Sequence, residues 1–388
     1  AAVRAVNAAS RVARAGAGTV AGGRAGLALD PWLLERLSAG RDVVVVTGTN
    51  GKTTTTAFVA AGWGTPVATN ATGANMPPGM VAALVASGSA RAALESDEAW
   101  LPEVVAKVRP RVVVLLNLSR DQLDRATEVR RLAERWRECL VAAGAVVVAN
   151  ANDPLVVFAA QGARDVRWCN VPTYWMGDAA SCPRCTRPIR HAENGWACEC
   201  GFARPDELFA ALGERLRVGH DEVSLDLAVP GTFNRANAAL AVVALSVVGV
   251  DPAQAAARIG SVAEVAGRFA RRRWRGRELR LVLAKNPAGV AAVLADEVAP
   301  GDVWVAINDE VADGRDPSWL YDAPFDRLAG RTVWCLGTRR LDLAARLDYG
   351  GVDAVVVDDE STLAGSGAAT LIANYTAFTQ WSTRGEPC

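Results

Sequence analysis

The chain has 388 residues, 51% of them hydrophobic and 22% charged, with 42 basic and 42 acidic side chains in balance. That composition excludes global disorder and supplies more than one hydrophobic core; zero net charge leaves no overall field for nucleic acid or an anionic membrane. No apolar run is long enough for a transmembrane helix, and the stretch Ala1–Gly18 lacks the continuous apolar region of a signal peptide.

Residues 1–40 read as a helical lead-in. It ends in Pro31-Trp32-Leu33-Leu34-Glu35-Arg36-Leu37, with Asp30 as N-cap and Pro31 at the first helical position. Three runs then read as strands buried on both faces: Asp42–Val46, Arg111–Asn117 and Ala145–Asn150. Helical patterns lie between them, as in Arg125–Leu140. Strand alternating with helix predicts an α/β fold with a parallel sheet covered on both faces. The rhythm breaks over about 174–204, then resumes with a helix at Ala236–Val248. After a basic turn at Gly267–Arg277 come further buried strands at Leu279–Leu283, Asp302–Ile307, Thr332–Leu336 and Ala354–Val357. The expected organisation is a lead-in at 1–40, a central domain at 41–267 carrying the insertion at about 174–204, and a smaller Rossmann-like α/β domain at 268–388.

The strongest chemical signal is Val46-Thr47-Gly48-Thr49-Asn50-Gly51-Lys52-Thr53-Thr54. A buried strand runs into a glycine loop and then a helix. The backbone N–H groups of such a loop face phosphate oxygens, Lys52 reaches the β- and γ-phosphates, and Thr53 can ligate Mg²⁺. Val46 stands where the general P-loop spacing has glycine, so the loop is a variant. Lys52 is also one of only three lysines, with Lys107 and Lys285.

Four of the eight cysteines fall together as Cys182-Pro183-Arg184-Cys185 and Cys198-Glu199-Cys200-Gly201. Two knuckles of thiolates suit a tetrahedral Zn²⁺ site, and four protein ligands leave no open position, so the metal would be structural. The second knuckle is tighter than usual, and His191 between the two is an alternative ligand. Cys139, Cys169, Cys335 and Cys388 are scattered and read as ordinary thiols of a reducing compartment. The run Arg271-Arg272-Arg273-Trp274-Arg275 reads as a solvated hinge or strand edge, not as a nucleic-acid site.

Gly48-Thr49-Asn50-Gly51-Lys52-Thr53-Thr54 resembles the loop of the Mur ligase family, which uses ATP to make an acyl phosphate that an amine attacks. Asn117-Leu118-Ser119-Arg120-Asp121-Gln122-Leu123-Asp124-Arg125, Thr232-Phe233-Asn234-Arg235-Ala236-Asn237 and Gly267-Arg268-Phe269 resemble three further blocks of that family. Gln122 replaces a metal-binding histidine, no lysine lies between Lys107 and Lys285, and Lys285-Asn286-Pro287-Ala288-Gly289 replaces an Asp-Tyr-Ala-His-Asn-Pro block. With the loop starting by residue 48, no amino-terminal UDP-recognition domain is expected in this sequence. These departures, the cysteine cluster, Ala312-Asp313-Gly314-Arg315-Asp316-Pro317-Ser318-Trp319 and Asn374-Tyr375-Thr376-Ala377 resemble the MurT branch of the family.

The resemblance implies a Mur-ligase-like central ATP-binding domain with a zinc ribbon, and a C-terminal domain of the MurT type. It implies ATP and Mg²⁺ as cofactors beside structural Zn²⁺. Asn234 and Asn237 would lie near the nucleotide, and Arg268 would face the γ-phosphate. Glu95, and after it Glu98, would hold Mg²⁺. The implied reaction is amidation of the D-glutamate α-carboxylate in the lipid II stem peptide, in peptidoglycan synthesis. The alternative is an amino-acid-adding Mur or folylpolyglutamate-type ligase. The chain lacks the paired cysteine and histidine of a glutaminase, so a separate GatD-like subunit is implied. The branch is thought to lend that subunit an aspartate, here Asp316, or else Asp313 or Asp322. The expected location is the cytoplasm at the inner membrane face, with at most peripheral membrane contact.

Overall fold

The computed structural model describes Val3, Val6 and residues 20–388, apart from 72, 122–128, 193–194, 266, 297–300 and 364–365. Two compact units emerge. The first comprises Ala1–Leu118, Glu128–Pro230 and Asn234–Ala263; the second comprises Ser119–Thr127, Gly231–Phe233 and Glu264–Cys388.

The first unit opens with α1 (Ala21–Leu29) and α2 (Leu33–Ser38). Asp30 does not cap α2 as expected. Its carboxylate accepts the Trp32 N–H in a tight turn, and the helix starts at Leu33, two residues later than expected. The sheet then follows in chain order. It begins with β1 (Asp42–Thr47), α3 (Lys52–Gly62), β2 (Ala68–Thr69), α4 (Pro77–Ala86) and β3 (Arg91–Glu95). It continues with α5 (Leu101–Val108), β4 (Val112–Leu115), α6 (Val129–Ala142), β5 (Val146–Asn150), α7 (Pro154–Ala160) and β6 (Asp165–Asn170). Two insertion strands, β7 (Arg190–Ala192) and β8 (Gly195–Ala197), form a separate hairpin. A meander of β9 (Ala210–Leu212), β10 (Leu216–Val218) and β11 (Asp221–Val223) extends the sheet, and α8 (Thr232–Val247) and α9 (Pro252–Gly260) follow.

The nine strands lie in the order β11-β10-β9-β6-β5-β4-β1-β3-β2. Strands β2 to β6 and β1 pair in parallel, which is why their Val-rich runs are apolar at every position: helices cover both faces. Strand β4 is shorter than its apolar run, ending at Leu115. Helix α6 turns Leu132, Ala133, Trp136 and Leu140 inward, the spacing of one helical face. Residues 122–128, the first part of the helix expected from Arg125, lie outside the described residues.

The second unit carries β12 (Phe269–Trp274), β13 (Arg277–Leu283), α10 (Pro287–Val293), β14 (Asp302–Ala306), α11 (Trp319–Asp322) and β15 (Val333–Leu336). After them come α12 (Arg340–Tyr349), β16 (Ala354–Val356), β17 (Gly367–Ala373), α13 (Tyr375–Ser382) and β18 (Glu386–Pro387). Its sheet order is β16-β15-β14-β17-β13-β12-β18, parallel from β16 to β13 and antiparallel beyond. The basic run is therefore the strand β12. Alternation sends Ala270 and Trp274 into a core with Leu279, Trp304 and Trp381, and leaves Arg271 and Arg273 exposed.

Candidate active site

The register of the first sheet builds the nucleotide loop. Val46 pairs with Glu95 and Thr47 with Leu115, so β1, β3 and β4 end together beneath the start of α3. Two glycines let the chain turn there. Gly48 has φ +143, and a Cβ on it would lie 2.8 Å from that of Leu116. Gly51 has φ +87, and its Cβ would lie 2.6 Å from Asn237 Oδ1. No larger residue fits either position.

Lys52 begins α3 and is buried. Its ammonium donates to the Gly48 carbonyl at 2.6 Å, to the Thr49 carbonyl at 3.2 Å and to Glu98 Oε2 at 3.0 Å. Thr53 Oγ1 donates to Glu95 Oε2 at 2.8 Å. Glu95 is fully buried, and Asn75 reaches its other oxygen at 3.5 Å. Asn70 brackets the Glu95 backbone, accepting its N–H and donating to its carbonyl. The two acids named from sequence thus have different neighbours: Glu95 faces the Thr53 hydroxyl, and Glu98 balances Lys52. Thr54 is buried in the first turn of α3.

Asn117, just past β4, holds the loop from the other side. Its side chain accepts the Asn50 N–H at 2.9 Å and donates to the Asn50 carbonyl at 3.0 Å, while its own carbonyl accepts the Thr49 N–H. Sequence had it within a family block but gave it no role; Asn70 and Asn75 carried no signal at all. Asn234 is buried, its amide donating to the Pro230 carbonyl. Arg268 lies in the second unit, its N–H bonded to the Val265 carbonyl.

In the insertion, the sulfurs of Cys182, Cys185, Cys198 and Cys200 all lie within 4.8 Å of one another. Cys182 to Cys200 is 3.7 Å and Cys185 to Cys198 is 3.4 Å. Thiolates around a tetrahedral ion at about 2.3 Å would be spaced by roughly 3.8 Å, so the quartet could hold a metal ion. His191 is exposed on β7 and outside the quartet.

The Mur ligase middle domain model matches residues 46–245. The chain belongs to the Mur ligase family. A second model, MurT ligase C-terminal, matches residues 283–378. Among curated proteins, the lipid II isoglutaminyl synthase (glutamine-hydrolyzing) subunit MurT of Staphylococcus aureus (strain COL) is 27% identical, over 87% of this chain and 85% of its own. The same-named subunit of Streptococcus pneumoniae is 28% identical, over 91% and 87%. Among solved structures, a pseudomurein peptide ligase type C from Methanothermus fervidus superposes with a TM-score of 0.70 at 20% identity, over 88% of this chain and 78% of that one. MurF ligase from Thermotoga maritima, in complex with ADP, gives 0.60 at 14%, over 90% and 81%. These two likenesses establish the Mur ligase fold.

The second unit of this Mur ligase gives the three acids named from sequence different surroundings. Asp313 is buried, and its carboxylate accepts both the N–H of Thr376, at 2.9 Å, and its hydroxyl. It ties its loop to the start of α13. Asp322 is exposed and ion-paired with Arg120 at 3.4 Å. Asp316 is exposed, and bonds from the Ser318 N–H and hydroxyl hold its carboxyl below the usual range. Of the three, Asp316 alone presents its carboxylate outward without an ion pair among the described residues.

Proposed function

We propose that this chain is the ATP-dependent ligase subunit of a glutamine amidotransferase that converts the D-glutamate α-carboxylate of the lipid II stem peptide to the amide. The observation that carries this reading is the reach of the likeness to the two curated MurT subunits, through both units and into the C-terminal model. The nucleotide loop supplies the chemistry. The glycine-loop N–H groups and Lys52 would cradle the phosphates of ATP, with Asn234, Asn237 and Arg268 as further nucleotide contacts. Thr53 and Glu95 would hold Mg²⁺, a hard cation suited to hydroxyl and carboxylate oxygens, which would neutralise charge on the β- and γ-phosphates. Attack of the substrate carboxylate on the γ-phosphorus gives an acyl phosphate, and ammonia then displaces phosphate.

The cysteine quartet would hold a structural Zn²⁺, with no ligand position left for chemistry. Ammonia would come from a GatD-like glutaminase subunit, to whose cysteine–histidine pair Asp316 is the aspartate offered. Among the described residues no helix is long and apolar enough to cross a membrane. The proposed place of action is the cytoplasmic face of the membrane, where a lipid-linked substrate is met by peripheral contact.

The deciding experiment is to purify the chain with its glutaminase and follow lipid II by mass, with glutamine and ATP. Conversion of one stem-peptide carboxyl to an amide supports the proposal. Addition of a whole amino acid instead would establish the amino-acid-adding alternative.

A further inference from the structure

Strands β12 and β13 carry arginines on both faces of the second unit's sheet, and the two faces treat them differently. On the face shared with Trp274, both are engaged. Arg272 pairs with Glu264 at 3.3 Å and donates to the Ser382 carbonyl; Arg277 pairs with Asp302 at 2.7 Å and donates to the Leu363 carbonyl. On the opposite face stand Arg271, Arg273 and Arg280. Among the described residues, none of these three guanidiniums has a hydrogen bond or an ion pair.

The register makes this arrangement unfavourable for the empty protein. Arg271 stands directly opposite Arg280 in the antiparallel ladder. Residues so placed have Cα atoms only about 5 Å apart. Like charges opposite one another destabilise a sheet. The same row continues through Thr370 to Val303 and Val333 of the apolar core, so Arg280 stands at the rim of that core. It is half-buried, and its Nε is out of contact with water and without a hydrogen-bond partner. A donor buried in that way carries its full desolvation cost. Arg271 lies over the ring of the buried Phe269, 6.0 Å from its centroid, which keeps the guanidinium on this face. Glu278, the one carboxylate that the two strands place on this face, is opposite Arg273 and offsets the charge there. The pair of Arg271 and Arg280 has no carboxylate opposite it.

We propose that Arg271 and Arg280 form a binding site for a phosphate group, which turns their mutual repulsion into two attractions. A phosphate has oxygens for two planar forks and a charge to match both guanidiniums; a carboxylate satisfies one fork. The site lies wholly in the second unit and stands apart from the ligase reading. Both a free phosphate compound and a lipid headgroup carry this chemistry, and the test separates them.

The full chain is used in about 0.1 M salt, where diffuse surface attraction is largely screened. One arm is equilibrium dialysis against labelled inorganic pyrophosphate. The other is sedimentation with vesicles of phosphatidylglycerol and phosphatidylcholine, against phosphatidylcholine alone. Pyrophosphate also suits the nucleotide loop, so the quantity read is the difference between wild type and variant, with ATP binding as the control. Arg280→Met keeps the apolar stem. It is expected to weaken the responding arm about tenfold, leave ATP binding unchanged and melt no lower than wild type, because it relieves the repulsion. Arg280→Lys keeps the charge without the fork and is expected to lose at least about threefold. A response to pyrophosphate identifies a free phosphate ligand, and a response to the anionic vesicles alone identifies a lipid headgroup; either supports the site. Wild-type binding by Arg280→Met, no loss in Arg280→Lys, a lower melting temperature for Arg280→Met, or no response of wild type in either arm would overturn the proposal.

Discussion

Lys52 and Glu98 form a buried ion pair at 3.0 Å, beneath the loop whose phosphates Lys52 would bind. Removing one partner of such a pair leaves an uncompensated charge in the interior, at about 3–5 kcal/mol. Lys52→Ala should therefore lower the melting temperature as well as abolish ATP turnover. The double variant Lys52→Met with Glu98→Gln should regain most of the stability and none of the turnover. Melting curves and ADP release check this; a Lys52→Ala protein melting with wild type would contradict it.

Thr53 and Glu95 can be separated from that pair. Glu95→Gln can keep the Thr53 hydrogen bond but removes the carboxylate charge offered to a divalent cation. The Mg²⁺ concentration for half-maximal nucleotide binding should rise about tenfold, and less in Thr53→Ala, which loses a neutral ligand. Titration calorimetry with and without Mg²⁺ distinguishes a cation site from a mere packing role, which would weaken binding equally in both.

About one Zn²⁺ per chain should accompany the freshly purified protein. Cys185→Ser should lower the melting temperature more than Cys388→Ser, because only the former belongs to the quartet and bound metal would contribute folding energy. Elemental analysis showing no zinc in unchelated protein would dispose of the assignment.

Asp316→Asn should lose glutamine-driven amidation while ammonium still supports it, at an unchanged melting temperature. Asp313→Asn should instead destabilise, by about 1–3 kcal/mol, since its one remaining oxygen can accept the Thr376 N–H but its amide nitrogen can no longer accept the Thr376 hydroxyl. Asp322→Asn removes only a half-exposed ion pair with Arg120 and should change stability by less than about 1 kcal/mol. Unchanged glutamine use by Asp316→Asn would remove the offered aspartate from the account.

Burial pushes the Asp153 carboxyl up to about 6, against the opposing pull of the N–H groups of Leu118, Val156 and Leu155. A raised folded value means the folded chain holds this proton more tightly than the unfolded chain. The stabilisation from this proton is complete below the unfolded value of 3.8 and is lost as pH rises to about 6. Asp153→Asn should remove that slope and cost about 1–3 kcal/mol, its amide nitrogen facing an N–H donor. Urea titrations across this pH range read both effects.

What sequence revealed were features written in consecutive residues. The Val43–Val46 run, the glycine loop and the paired cysteines each state their chemistry locally. What it did not reveal depends on register. Glu98 meets Lys52, and Asn70 meets Glu95, only because β1 and β3 align Val46 with Glu95. Strand β17 passed unnoticed although it lies between β13 and β14, because Gly367-Ala368-Ala369-Thr370 is too small and too weakly β-forming to stand out. The basic strand β12 was masked by its arginines, whose alternation with Ala270 and Trp274 is intelligible once the Trp304 and Trp381 core is seen. The resemblance put Asp316 ahead of Asp313 and Asp322, but spacing gave no physical reason for that order, since Thr376 and Arg120, which engage the other two, are far away in the chain.

The cysteine insertion is not an appendage. Cys182, Ile189, Trp196, Cys198 and Phe202 share one apolar cluster with Val113, Val147, Leu155 and Phe158, and the Trp196 indole donates to the Ala151 carbonyl at the end of β5. An attempt to shorten this protein by excising about 174–204 would strip α7 of its cover and open the cluster at its middle. The insertion can be exchanged for another knuckle of matching apolar face, but not simply deleted. Any descendant that loses its cysteines must refill that volume with carbon.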